Sequence, residues 1–298
     1  MYLVTCFKKL FASPMFWATV VGTAVICMFS ELYIDVQTNA SETVIGMYAK
    51  YTSEAMLADT SLCSYGVFTA GFGNWAAMFA PVLAALASIG ICIDERKSGM
   101  WRFALHRTGR VRYGISGCLF ILISGGLALM LGYALFGILA AIMFPPLSAY
   151  SSESAEMFLE FAFRHGSPMS ELFSAGGLPL CVTAQLAETF FFGAVCSAAA
   201  MLLSSICENK YVIICIPFFL KYSLSQIASV LSFKATEDPM STNEKLLNFA
   251  NLIQPNGANS FLSYTENSLL TAILNAAFLA ISAAVFCIIR VRRLRNET

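Results

Sequence analysis

Catalysis needs a nucleophile, an acid–base pair or a metal cage, and this sequence is short of parts for each. Its two histidines are His106 and His165, and its ten cysteines are scattered. It contains no H-E-x-x-H, no G-x-S-x-G and no aspartate-rich metal motif, so a metallohydrolase and a serine triad both lack components. There is no G-x-x-x-x-G-K-[ST] loop either, so ATP-driven work would need another chain. No C-x-x-C and no Cys/His pair stands at metal spacing, so no metal site is expected. Eight cysteines (Cys6, Cys27, Cys92, Cys118, Cys196, Cys207, Cys215, Cys287) fall in apolar runs or beside basic loops and read as small packing residues. Cys63 and Cys181 lie in or near polar segments on one side, and a disulfide between them stays open. A net charge of 0 gives no sign of a nucleic-acid partner.

Two charges stand apart, Glu188 in "AQLAETFFFGAV" and Lys221 in "IPFFLKYSLSQIASV", because apolar residues surround each of them. A lone ammonium at mid-membrane costs roughly 2.5 to 3.5 kcal/mol, so Lys221 must face a partner, the protein interior or water. The readings are a structural polar tether, an intramembrane Glu188–Lys221 pair, and a place on a substrate path at the dimer interface. Lys221 lies about 16 Å of helix from Lys210, and Glu188 about 30 Å from Glu208, a height difference that strains a direct bridge. Pro217, four residues before Lys221, is expected to free a carbonyl near the amine.

The elements that position these residues are membrane spans. The chain is 58% hydrophobic with a mean hydropathy of +0.70, more than a soluble core and shell can carry. Six runs are long enough to cross about 30 Å of hydrocarbon: about 15–33, 74–93, 114–144, 180–206, 211–233 and 267–290. Thirteen of the 18 bases fall on one side of this layout, so both termini are expected in the cytoplasm. The outer segments, roughly 34–73, 145–179 and 234–266, collect most of the acids and are expected to form short helices. One of these would be capped by Ser151 or Ser152. The fold expected is therefore an all-α integral membrane protein, a single domain over 1–298 with six transmembrane helices and short helical extracellular segments.

The longest cytoplasmic connection, about 94–112, carries Arg96, Lys97, Arg102, Arg107, Arg110 and Arg112 against Asp94 and Glu95. Membrane sorting and anionic lipid explain the charge. They do not explain Ser98-Gly99 followed by Met100, Trp101, Phe103 and Leu105. Ser98 is expected to cap a short helix with Trp101 and Leu105, four apart, on one face.

The pattern E-R-x-S-G-x-x-x-x-x-L-x-R-x-x-R-x-x-Y, from Glu95 to Tyr113, resembles the cytoplasmic loop of type 2 ATP-binding-cassette (ABC) transporter permeases. The N-terminal segment "YLVTCFKKLFASPMFW", the short "CENK" loop and "NLIQP" before the last span are similar to that family's layout. The chain departs from it where "HRTGR" lacks a proline and where Gly117 replaces a base. The resemblance implies that Glu95, Arg96, Ser98, Gly99, Trp101, Arg102, Phe103 and Leu105 couple the chain to a separate ATPase. Trp101, Phe103 and Leu105 would form the buried anchor and Arg96, Lys97 and Arg102 the charged rim. It further implies two ATPase subunits, which would carry ATP and Mg, a second permease subunit, and lipid around a multi-pass protein of the bacterial plasma membrane. The chain itself would be no enzyme. The expected function is export of an amphiphilic substrate such as an antimicrobial peptide, lipid or drug by alternating access at the permease dimer interface. The alternative is a membrane sensor or immunity protein that binds a ligand on its outer segments without transport.

Overall fold

The computed structural model describes residues 2–34, 41–162, 168–207, 209–236 and 268–296, together with residues 247 and 249. "NLIQP", His165, Glu208 and most of the third outer segment lie outside these. The described chain is almost wholly helical. Five helices are long and apolar enough to cross a membrane, or six if a bent N-terminal pair counts as one span.

That pair is α1 (Tyr2–Ala12) and α2 (Pro14–Met28), bent by 64°. Pro14 at the start of α2 cannot continue the ladder of α1, and the Trp17 indole donates to the Phe11 carbonyl at 2.8 Å, holding the bend. The first span expected at 15–33 is thus shorter. Fifteen residues rise only about 22 Å. Residues Glu31–Ile34 leave the helix to form β1, antiparallel to β2 (Ser41–Thr43), a small departure from an all-helical chain. Ser30 marks the exit, its buried hydroxyl donating to the Gly71 carbonyl at 2.6 Å.

Short helices follow: α3 (Val44–Lys50), α4 (Ser53–Met56) and α5 (Ser64–Gly71). Next come α6 (Asn74–Lys97), the connecting helix α7 (Met100–Thr108) and α8 (Arg110–Met143), whose 34 residues extend over about 51 Å before Pro145 and Pro146 end it. A further short element, α9 (Ser152–Ala162), begins where Ser151 accepts from the Ser154 amide, as expected of that serine. α10 (Pro168–Ile206) starts earlier than the 180 expected and breaks at Gly177, whose φ of 67° only glycine adopts easily. α11 (Lys210–Thr236) and α12 (Ser268–Asn296) complete the order.

The bundle is built around α8, which packs most extensively on α10 and then on α2 and α6. Helix contact in lipid relies on small residues that let backbones approach. Gly126 of α8 is such a point, since a Cβ there would lie 2.6 Å from the Phe190 carbonyl of α10. Two apolar clusters stack along the bundle. One centres on Tyr133, Phe68, Phe72 and Phe136, with the Tyr133 ring stacked on Phe68 at 4.3 Å and its hydroxyl donating to the Phe68 carbonyl. The other gathers Leu10, Phe16, Phe120, Ile121, Met201 and Phe286 at the end that carries α7.

Candidate functional site

α7 is set off from its neighbours by two glycines. Gly99 has φ 70° and Gly109 φ 78°, so each breaks the helix direction where a residue with a Cβ would be strained. Ser98 does not cap α7 as expected. Its hydroxyl turns back to the Glu95 carbonyl at 3.2 Å, finishing α6, and Gly99 holds the N-cap position instead.

The anchor expected of this helix divides in two. Leu105 is 8% exposed and packs with Ala104 against Tyr113, at the start of α8. Phe103 is 74% exposed and Met100 50%. Residues two apart on a helix point about 200° apart, so Phe103 and Leu105 cannot enter one groove together. The residues offered outward are Phe103 and Met100, with Arg102 and Arg107 exposed beside them, and Leu105 secures the helix to its own chain. Trp101 lies on α7, but its side chain is outside the described residues. Arg96 donates through Nη1 to the Ser204 carbonyl at 2.8 Å and ties the end of α6 to the end of α10. Glu95 sits in the last turn of α6, half-buried.

Lys221 has two defined contacts, on α6 and α10. The Lys221 ammonium donates to the Ala77 carbonyl of α6 and lies 4.6 Å from the centre of the Phe192 ring of α10. Glu188 is buried on the same helix, one turn before Phe192, about 6 Å along its axis. The acceptor differs from the one expected. Pro81 has no N–H, so the carbonyl four residues earlier, Ala77, has lost its helical donor, and Lys221 supplies one from another helix. Pro217 does sit inside α11, but its freed carbonyl is not the one the amine takes. Near Glu188, Gln185 is buried, with its amide nitrogen 3.5 Å from the Tyr65 hydroxyl and its Oε1 unpartnered among the described residues. Gln185 and Glu188 thus put buried polar side chains side by side on α10.

Cys63 and Cys181 are both free thiols in one buried cluster with Tyr65 and Tyr150. Cys63 accepts from the Gly66 amide at 3.2 Å and starts α5, and burial pushes its thiol above the ordinary range. Among the described residues no group of three His, Cys, Asp or Glu side chains converges.

The chain matches no protein-family model and no curated protein. What the arrangement can do must therefore be read from its geometry, and two features went unread in the sequence. One is Gly109, which sets the far end of α7. The other is Arg290 of α12, whose Nη2 donates to the Tyr113 hydroxyl at 3.1 Å. A glycine directly before a basic helix start and an arginine near the end of the last span were the available signals.

Proposed function

We propose that this multi-pass chain is the membrane subunit of an ATP-driven exporter of the ABC type, with α7 as the helix that docks on a separate ATPase. The observation that carries this reading is α7 itself. It is a nine-residue helix placed between the ends of two long helices, delimited by two positive-φ glycines, with Phe103 and Met100 exposed among bases. Membrane sorting requires bases but no rigid, apolar-tipped helix, whereas a protein groove requires both an anchor and a charged rim.

The segments that carry Lys8, Lys9, Lys97, Arg102, Arg107 and Arg110 gather at the same end of the bundle, which supports a cytoplasmic placement of both termini and of α7. In this reading the bent α1–α2 pair counts as the first of six crossings, with α1 in the inner interface. Two ATPase subunits, holding ATP and Mg, pair with this chain and a second permease subunit in a bacterial plasma membrane. Alternating access at the permease interface then moves an amphiphilic substrate. Closure of the ATPases displaces α7, and Leu105 and Arg96 pass that displacement to α8 and α10.

The test is affinity purification of the chain from native membranes, read by mass spectrometry for a co-purifying P-loop ATPase. The wild-type chain is expected to hold it in detergent, and Phe103→Asp to release it, because a carboxylate in an apolar groove loses most of a hot-spot contact, about 2 kcal/mol or more. Retention by Phe103→Asp and Met100→Asp alike refutes the docking role.

A further inference from the structure

The last helix, like α11, is lightly covered by the rest of the bundle. Only 11% of the apolar stretch of α12 is buried, and Ile273, Leu274, Phe278, Ile281 and Ile288 are exposed. Its firmest hold on α8 is concentrated near its end. There Phe286 is fully buried, and the Arg290 guanidinium lies 5.3 Å from the Phe286 ring and 4.9 Å from the Tyr113 ring while donating to the Tyr113 hydroxyl. Two glycines of α8 lie at ordinary contact distance from this group. A Cβ on Gly117 would stand 3.5 Å from Arg290 Nη1, and one on Gly114 3.6 Å from Val291. Cys118 of α8 and Cys287 of α12 neighbour each other in the same crossing.

Tyr113 is therefore shared. One side of it receives Leu105 from α7, and the other receives Arg290 from α12. A buried aromatic ring gripped between two elements passes movement because close-packed contacts shift together. We infer that Arg290 is a positioning residue that clamps α12 to the base of α8 directly behind α7, so that a displacement of α7 reaches the last helix through Leu105, Tyr113 and Arg290. Its role as a joint that transmits movement rests on the reading of α7 as a docking helix, but the contact can be tested in the chain alone.

Cys118 and Cys287 are native reporters of the joint. The full-length chain, in native membranes, is labelled with a membrane-permeant maleimide, and the rate at each cysteine is read by peptide mass spectrometry. Arg290→Gln is expected to label Cys118 and Cys287 on the order of tenfold faster than wild type, the factor that follows from losing one charge-assisted hydrogen bond, while Cys27 and Cys196 stay slow. Leu105→Ala touches neither cysteine nor Arg290, and it is expected to speed the same two sites by a smaller factor. Acceleration by Arg290→Gln with none by Leu105→Ala overturns the relay, and no acceleration by either overturns the clamp. Should Arg290→Gln also expose Cys27 and Cys196, showing a misfolded chain, Arg290→Lys together with Leu105→Ala decides in the same terms. No ATPase enters this measurement, so its failure removes the joint and leaves the docking proposal standing, while loss of docking leaves the joint standing.

Discussion

The contact of Lys221 with the Ala77 carbonyl makes a quantitative prediction through Pro81. In a Lys221→Met variant the Ala77 carbonyl loses its donor, which costs about 1–3 kcal/mol, and the contact with Phe192 is lost at about 1–2 kcal/mol. Against this, removing an ammonium from mid-membrane returns roughly 2.5–3.5 kcal/mol. The single variant is thus expected to lie close to wild type, which makes it uninformative alone. Pro81→Ala restores an N–H for Ala77 within α6, so the lysine is no longer needed there. The two changes must couple: Pro81→Ala should stabilise the Lys221→Met variant by about 2 kcal/mol more than it stabilises the chain that keeps its lysine. Unfolding of all four chains in dodecylmaltoside–SDS mixed micelles, followed by far-UV circular dichroism, measures the cycle. Additivity within about 0.5 kcal/mol refutes the claim that lysine and proline share one carbonyl.

Gly126→Ala should cost about 1–3 kcal/mol in the same assay, because the new methyl meets the Phe190 carbonyl and α8 and α10 must part. Gly90→Ala, with nothing within 4 Å, should be neutral or stabilising by a few tenths to about 1 kcal/mol. Tyr150 donates its hydroxyl to the Met56 carbonyl at 3.1 Å, and its pKa is pushed up to about 12 by burial and then by Cys63 and Asp59. The folded state therefore keeps a proton that the unfolded chain releases at about 10. Its contribution is whole below pH 10 and is lost as pH rises toward about 12. Unfolding midpoints should fall with pH in that window, and the slope should be shallower in Tyr150→Phe.

Helices and their approximate ends were readable in the sequence because a hydrophobic run long enough for a bilayer has few other uses. The errors lie where a second element competes. Leu32 and Tyr33 let the first span be drawn to 33 despite Glu31, but pairing with Ser41–Thr43 draws these residues into β1. Ser98 looks like a cap, yet the chain reverses at Gly99, and the hydroxyl finishes the helix before it rather than starting the one after. The position of Lys221 as a buried charge was legible, and so was the need for a partner. The partner was not, because Ala77 lies 144 residues away, and only the proline rule applied to α6 rather than to α11 would have found it. Leu105 and Phe103 both read as anchors in a one-dimensional pattern. Their opposite placement on α7 became visible only when Tyr113 took one of them.

The docking role of α7 is tested most directly by cross-linking at its exposed tip. With Phe103→Cys in a chain whose native cysteines are otherwise retained, a thiol-to-amine reagent applied to native membranes should yield an adduct mapped to residue 103. Mass spectrometry should identify its partner as a protein containing a G-x-x-x-x-G-K-[ST] loop, and the yield should change when ATP is bound and then hydrolysed. An adduct at residue 103 formed only with lipid amines, at the same yield with and without ATP, contradicts the account.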